Sequence, residues 1–133
     1  MSYPPEELLP ALDRLSPELD RCPFPIVILM GSAAEGRHFH DLDLAFFSTG
    51  SPSALLTQVL EWGGRFERAA GVPVDLTPLS ASSVGFQYEA TKGQVLLCRN
   101  AELLADWKEK TWCTYFDQEH HFRAHARDVL SRD

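Results

Sequence analysis

The sequence predicts an α/β (α+β) protein with a mixed sheet of about four strands, helices packed on one face and a long C-terminal helix. Three segments support this prediction. Residues 26–30 form an uninterrupted, β-branched apolar run, which is typical of a buried central strand. Residues 41–47 alternate between acidic or small side chains and large apolar ones, as expected of a strand. From residue 101 to about 130, apolar residues recur every three or four positions, which indicates a helix.

The remaining elements follow from local signals between these segments. Prolines next to acids indicate helix starts, Ser-Pro-Ser indicates a helix cap, and lysine-glycine indicates a turn. These signals predict helical segments starting near 5 and 16 and near 33, a helix over 51–70, a strand over 72–77, a short helix over 82–91 and a strand over 94–98.

Length and composition are those of one globular domain. The chain has 133 residues, 44% of them hydrophobic and 23% charged, which is ordinary for a folded protein. We expect a single domain over 1–133, with its core at about 24–98 and a helical extension at about 100–131. The apolar runs are too short to span a membrane, and the N-terminal residues do not read as a secretory signal.

Charge and cysteine usage exclude several classes of function. The net charge is −7 and the sequence shows no lysine or arginine cluster, so direct nucleic-acid binding is disfavoured. Cys22, Cys98 and Cys113 lie far apart and form no C-x-x-C pair, which predicts neither a disulfide framework nor a zinc knuckle. A reducing, cytoplasmic location fits this pattern.

Three aspartates in two predicted strands form the main candidate site. Asp41 and Asp43 are two residues apart, so they point to the same side of one strand. Asp75 points away from its apolar neighbours in another strand. If the two strands are adjacent, the three carboxylates converge and repel one another unless cations are bound. Oxygen ligands favour Mg²⁺ or Mn²⁺, and two such ions can activate an attacking oxygen and stabilise a leaving pyrophosphate.

A glycine-serine pair follows the first predicted strand. Gly31 permits close approach of a phosphate to the backbone, and Ser32 offers a hydroxyl and an amide to phosphate oxygens. A strand, a Gly-Ser turn, a short loop, an Asp-x-Asp strand and a lone aspartate in a third strand together make a far more specific pattern than any one of them.

These residues resemble a known family. The segments 28–36 (ILMGSAAEG) and 41–44 (DLDL) resemble the Gly-Ser…Asp-x-Asp signature of the DNA polymerase β nucleotidyltransferase superfamily. The small size points to its minimal nucleotidyltransferase (MNT) branch, and 73–76 (PVDL) and 88–97 (YEATKGQVLL) resemble the rest of that fold. The loop over 33–40 is shorter than is usual in the family, and a histidine rather than a serine precedes the first aspartate.

The resemblance implies a polymerase β-like nucleotidyltransferase fold and a set of residue roles. Gly31 and Ser32 would bind the triphosphate of ATP, and Asp41 and Asp43 would bind Mg²⁺ or Mn²⁺. Asp75 would help to bind metal and would deprotonate the acceptor hydroxyl.

The resemblance also implies an antitoxin that transfers AMP to a tyrosine of a HEPN ribonuclease toxin. Two alternatives stay open: an antitoxin that neutralises a HEPN partner by binding, and a small-molecule nucleotidyltransferase. The oligomeric state is also open.

Other polar residues are weaker candidates. Arg37, Lys92 and Arg99 fall at the ends of predicted elements, where they could contact a triphosphate. His121 and His125 have a spacing that can bind zinc, but a solvated helix face is the favoured interpretation.

Four large aromatic residues lie close together in the last predicted helix. Core packing is their default role, but a surplus would suit a protein interface. They are Trp107, Trp112, Tyr115 and Phe116.

Overall fold

The structure, a computed structural model, describes residues 1–130 of the chain and the side chains as far as residue 127. The predicted extension to residue 131 therefore ends outside the described residues. The helices are α1 (Leu8–Arg21), α2 (Gly31–Ala34), α3 (Leu55–Ala70), α4 (Val84–Thr91) and α5 (Ala101–Leu130). The strands are β1 (Ile26–Met30), β2 (Leu42–Phe46), β3 (Val74–Pro78) and β4 (Gln94–Cys98).

The four strands form one mixed sheet in the order β3-β2-β1-β4. β1 runs antiparallel to both β2 and β4, whereas β2 and β3 are parallel. Parallel neighbours need a crossover connection, and α3 supplies it between β2 and β3. The predicted fold class, a mixed four-stranded sheet with a long C-terminal helix, is confirmed.

Helices cover both faces of the sheet, so the prediction that they pack on one face is wrong. On one face, α1 and α3 cover a core that includes Val27, Leu29 and Leu44. On the other face, α4 and the start of α5 pack against Ile28 and Ala45. The reason is that every residue of β1 is buried and apolar, and successive side chains point to opposite faces.

The first helix continues through a proline. The prediction of a separate helical turn starting near Ser16 is wrong, because α1 runs unbroken past Pro17. Ala11, Leu15 and Leu19 recur every four residues and are buried against the sheet and α3. Their burial outweighs the backbone hydrogen bond that Pro17 cannot make.

Helix α5 begins against the body of the protein and then leaves it. Trp107 and Thr111 are buried, whereas Phe116 and Phe122 are exposed.

Among the described residues, no helix combines the length and apolar character that a membrane crossing requires.

Candidate active site

The structure brings the three predicted aspartates together. Asp41 directly precedes β2, Asp43 lies within β2, and Asp75 lies within β3. Asp43 and Asp75 are direct partners in the parallel register of the two strands. One carboxylate oxygen from each of the three residues lies within 4.8 Å of the other two. The site therefore depends on two strands whose residues are about thirty positions apart in sequence.

The carboxylates lie on the sheet face that α4 and α5 cover only in part. Asp43 shares this face with Ala45, two residues further along β2, and Ala45 packs in the core beneath these helices. Asp41 and Asp43 are partly buried, and Asp75 is exposed. The site is therefore open to solvent and to a second molecule from the β3 side.

Electrostatics within the triad favour a bound cation. Burial, the charges of Asp41 and Asp75, and a side-chain hydrogen bond with Asp41 together raise the pKa of Asp43 to about 6. A divalent cation would relieve this repulsion. Three carboxylates without histidine or thiolate form a donor set that suits hard ions such as Mg²⁺ or Mn²⁺.

The glycine-serine pair adjoins the triad. Met30 is paired with Asp43 across β1 and β2, so Gly31 comes next to the Asp43 carboxylate. Gly31 has φ +70°, and a Cβ at this position would collide with that carboxylate. Only glycine adopts this positive φ without strain and also leaves room for the Asp43 carboxylate. Ser32 follows in the first turn of α2 and is partly buried.

A cleft of about 370 Å³ continues from Gly31 towards the C-terminal end of α4. Lys92 lies on its wall, with its Nζ 3.6 Å from a carboxylate oxygen of Glu89 and 4.2 Å from the centre of the Tyr88 ring. Its other lining residues are Met30, Gly31, Ala34, Glu35, Glu89 and Gly93. An anionic group bound at Gly31 would therefore lie in the same cleft as the amine of Lys92.

Comparison with known proteins identifies the fold. No protein-family model matches the chain, and no curated protein matches it in sequence. Solved structures do match. The toxin–antitoxin MntA-HepT matches with a TM-score of 0.65 and 18% identity, covering 91% of this chain and 97% of that one. A toxin–antitoxin with AMP-PNP matches with a TM-score of 0.69 and 21% identity, covering 90% and 98%.

A third match is a tri-AMPylated Shewanella oneidensis HEPN toxin in complex with MNT antitoxin. It has a TM-score of 0.67 and 19% identity, and the match covers 93% of this chain and 99% of that one. The chain has the MNT nucleotidyltransferase fold. The predicted resemblance is therefore confirmed at the level of fold.

Within the MNT fold, Arg99 lies at the wrong end of the sheet for a triphosphate. Its backbone N–H donates to the carbonyl of Pro25, before β1 begins, whereas the triad lies at the opposite end of β1, beside Met30. Its guanidinium donates to four backbone carbonyls at 2.6–3.2 Å. They belong to Leu19, Asp20, Cys22 and Phe24. The suggestion that Arg99 contacts phosphate is wrong, because these carbonyls already occupy its N–H groups.

The other polar candidates remain at the surface of the MNT fold. Arg37 is exposed and forms an ion pair with Glu35, which lines the cleft. His121 and His125 are exposed on α5. Over the described residues, the aspartate triad is the group whose geometry could hold a metal, and neither histidine belongs to it.

Sequence reasoning missed an N-terminal contact beside the site. Tyr3 and Phe39 form an isolated antiparallel bridge, and their rings stack with centroids 5.5 Å apart. Phe39 lies two residues before Asp41. No local pattern signals this pairing, because it joins segments more than thirty residues apart.

Proposed function

We propose that this chain is a nucleotidyltransferase-type antitoxin that transfers AMP from ATP to a tyrosine hydroxyl of a HEPN ribonuclease toxin. The convergence of Asp41, Asp43 and Asp75 beside Gly31 is the observation on which the proposal rests. The MNT fold supports it, as do the AMP-PNP and the tri-AMPylated HEPN toxin of the matching structures. In this proposal residues 1–133 act as one nucleotidyltransferase domain, in the cytoplasm, where ATP and Mg²⁺ are abundant.

The triad would hold the metal. Asp41, Asp43 and Asp75 together present several carboxylate oxygens to one point. Mg²⁺ or Mn²⁺ bound there would neutralise charge that develops on the phosphate oxygens and on the leaving pyrophosphate. Asp43 has to be ionised for this, and its raised pKa still leaves it mostly ionised at neutral pH.

The Gly-Ser turn and the adjoining cleft would hold the triphosphate. The absence of a Cβ at Gly31 leaves the backbone amide accessible, and Ser32 adds a hydroxyl donor. Lys92, on the wall of the same cleft, would contact a phosphate oxygen after exchanging its contact with Glu89. Arg37 is a second cation near this turn.

The transfer itself needs a base and an in-line geometry. The tyrosine oxygen attacks the α-phosphorus of ATP, the bond from this phosphorus to the oxygen bridging to the β-phosphate breaks, and pyrophosphate leaves. The proton of the tyrosine hydroxyl passes to the carboxylate of Asp75. Asp75 is the exposed member of the triad, so an acceptor on another protein can reach it.

Label transfer tests the proposal directly. ATP labelled on the α-phosphate, Mg²⁺ and a purified HEPN partner are incubated with the wild-type chain and with Asp75→Asn. We expect the partner to gain one AMP mass per modified tyrosine with the wild type, and at least about a hundred-fold less with the variant. No transfer by a folded wild-type chain that binds the partner would contradict the proposed chemistry.

Neutralisation by binding alone is a second candidate function. Trp112, Phe116 and Phe122 on α5 are 43%, 53% and 73% exposed, and large exposed aromatics suit a protein interface. The double variant Asp41→Asn, Asp43→Asn distinguishes the two functions. If this variant still binds the partner but no longer neutralises it, chemistry is required, whereas full neutralisation would favour occlusion.

A further inference from the structure

Residues 1–3 form a strap that contacts, through Met1 and Tyr3, the loop leading to Asp41. The Tyr3 N–H donates to the Phe39 carbonyl at 2.8 Å, and the Phe39 N–H donates to the Tyr3 carbonyl at 3.0 Å. The two rings stack above this bridge. His40 adds a contact of 2.9 Å between its Nδ1 and the carbonyl oxygen of Met1. The strap therefore contacts two successive residues of the loop.

The strap contacts the two residues that directly precede Asp41. Residues 35–38 of the loop are exposed, so they provide little anchoring. Phe39 is 1% exposed and belongs to the core under α1 and α3. Two peptide units extend at most about 7 Å, so a fixed Phe39 confines the Cα of Asp41. On the other side, the Leu42 N–H donates to the Pro73 carbonyl at 2.9 Å, which ties the start of β2 to the segment before β3.

The position of Asp41 matters because it is one of the three carboxylates of the triad. Asp43 and Asp75 are fixed by the strand register, whereas Asp41 precedes β2 and lies at the end of the loop. The charges of the other two carboxylates repel an ionised Asp41 as long as no cation lies between them. A second set of contacts is needed to oppose this repulsion, and Tyr3 supplies it through Phe39.

We infer that Tyr3 is a positioning residue for the metal site: by holding Phe39 it presets Asp41 for cation binding. This inference rests on the proposed function, because it assumes that the triad binds a divalent cation. Tyr3 itself touches neither the cation nor the nucleotide. Its hydroxyl is not required, because the backbone bridge and the ring stack make the contact.

Mn²⁺ binding to the full chain tests the inference. Calorimetric titration at pH 7.5 compares wild type, Tyr3→Ala, Tyr3→Phe and Leu19→Ala, and each melting temperature is measured alongside. Leu19 is a buried residue of α1, near the Arg99 end of the sheet, so Leu19→Ala lowers stability away from the site. We expect the Kd for Mn²⁺ to rise about ten-fold in Tyr3→Ala, and to stay at the wild-type value in the other two variants.

Each other outcome has a distinct meaning. A Tyr3→Ala chain that binds Mn²⁺ as tightly as wild type would overturn the positioning role and leave the proposed function standing. An equal loss of affinity in Leu19→Ala would also overturn it, because general destabilisation would then account for the effect. A wild-type chain that binds no Mn²⁺ would overturn the proposed function, and this inference with it.

Discussion

Asp43 has to be charged to bind a cation, but its charge destabilises the metal-free folded protein. Its pKa is raised from 3.8 to about 6, first by burial and then by the neighbouring carboxylates. A raised pKa means that the folded state holds the proton more tightly than the unfolded state does. The stabilisation from this proton is fully present below about pH 3.8 and is lost as the pH rises through about 6. At neutral pH the metal-free protein therefore carries an unfavourable charge at Asp43.

Asp43→Asn removes that charge while keeping the size of the side chain. We expect the metal-free variant at pH 7.5 to gain about 1 kcal/mol in the free energy of unfolding, a value reduced for solvent screening. Chemical denaturation with and without Mg²⁺ measures this. Mg²⁺ should stabilise the wild type and leave the variant unchanged. A metal-free variant that is less stable than wild type at pH 7.5 would contradict the charge conflict at Asp43.

Protons should compete with the cation at the same carboxylate. With a metal-free pKa of about 6 at Asp43, we expect the apparent Kd for Mn²⁺ to rise about ten-fold between pH 7 and pH 5. Titration calorimetry at several pH values gives this curve. A Kd that does not change over this interval would show that Asp43 is not a ligand.

At the scale of elements, Arg99 joins the end of α1 to the end of β4. Its side chain donates to carbonyls of residues about eighty positions earlier in the sequence. They belong to Leu19 and Asp20 at the C-terminus of α1 and to Cys22 and Phe24 in the segment that follows. Helix ends leave carbonyls without intrahelical partners, and a guanidinium offers several N–H groups in a rigid fork. This contact holds α1 against the sheet at the end away from the triad.

Arg99→Lys tests this role. A single ammonium cannot reach four carbonyls in that arrangement, so we expect the free energy of unfolding to fall by about 2 kcal/mol. Urea denaturation measures the loss. Arg21→Lys is the matched control, since Arg21 makes only an exposed ion pair with Glu18 and its replacement should change stability little. The affinity for Mn²⁺ should stay the same in both variants, and a weakened affinity in Arg99→Lys would place Arg99 in the site after all.

The strands were predicted more accurately than the helices. The predicted bounds of β1 and β4 are the observed ones, because short apolar runs between turn signals define a strand locally. β3 begins at Val74, two residues later than predicted, and the Leu42 N–H donates to the Pro73 carbonyl where its pairing with β2 starts. The break predicted near Ser16 was wrong because burial of one face of α1, a tertiary effect, overrides a proline signal.

At the scale of the whole molecule, α5 extends beyond the body. Tyr115 stacks on Tyr88 of α4 with ring centroids 3.9 Å apart, and Phe116 contacts the same tyrosine by its edge. Further along, Phe122 is 73% exposed. The aromatic residues predicted as a cluster therefore differ in burial: Trp107 packs in the core, whereas Trp112 and Phe116 are 43% and 53% exposed.

The double variant Phe116→Ser, Phe122→Ser tests whether this surface contacts the proposed HEPN partner. We expect partner affinity to fall at least ten-fold, as when aromatic anchors are lost from an interface, with no change in Mn²⁺ affinity. Surface plasmon resonance with immobilised partner measures the change. Leu56→Ser on α3, which is 69% exposed, is the control and should bind normally. Unchanged affinity in the double variant would exclude these residues from the interface.

The sequence by itself determined the four strands to within two residues, the common side of Asp41 and Asp43, and the glycine-serine turn after β1. These features are local, since the two-residue period of a strand and the turn after it depend on neighbouring residues only. The tertiary structure alone decided that Asp75 lies opposite Asp43, that Arg99 binds α1 rather than phosphate, and that Tyr3 holds Phe39. Each of these depends on strand order or on contacts between distant segments, which no local period specifies.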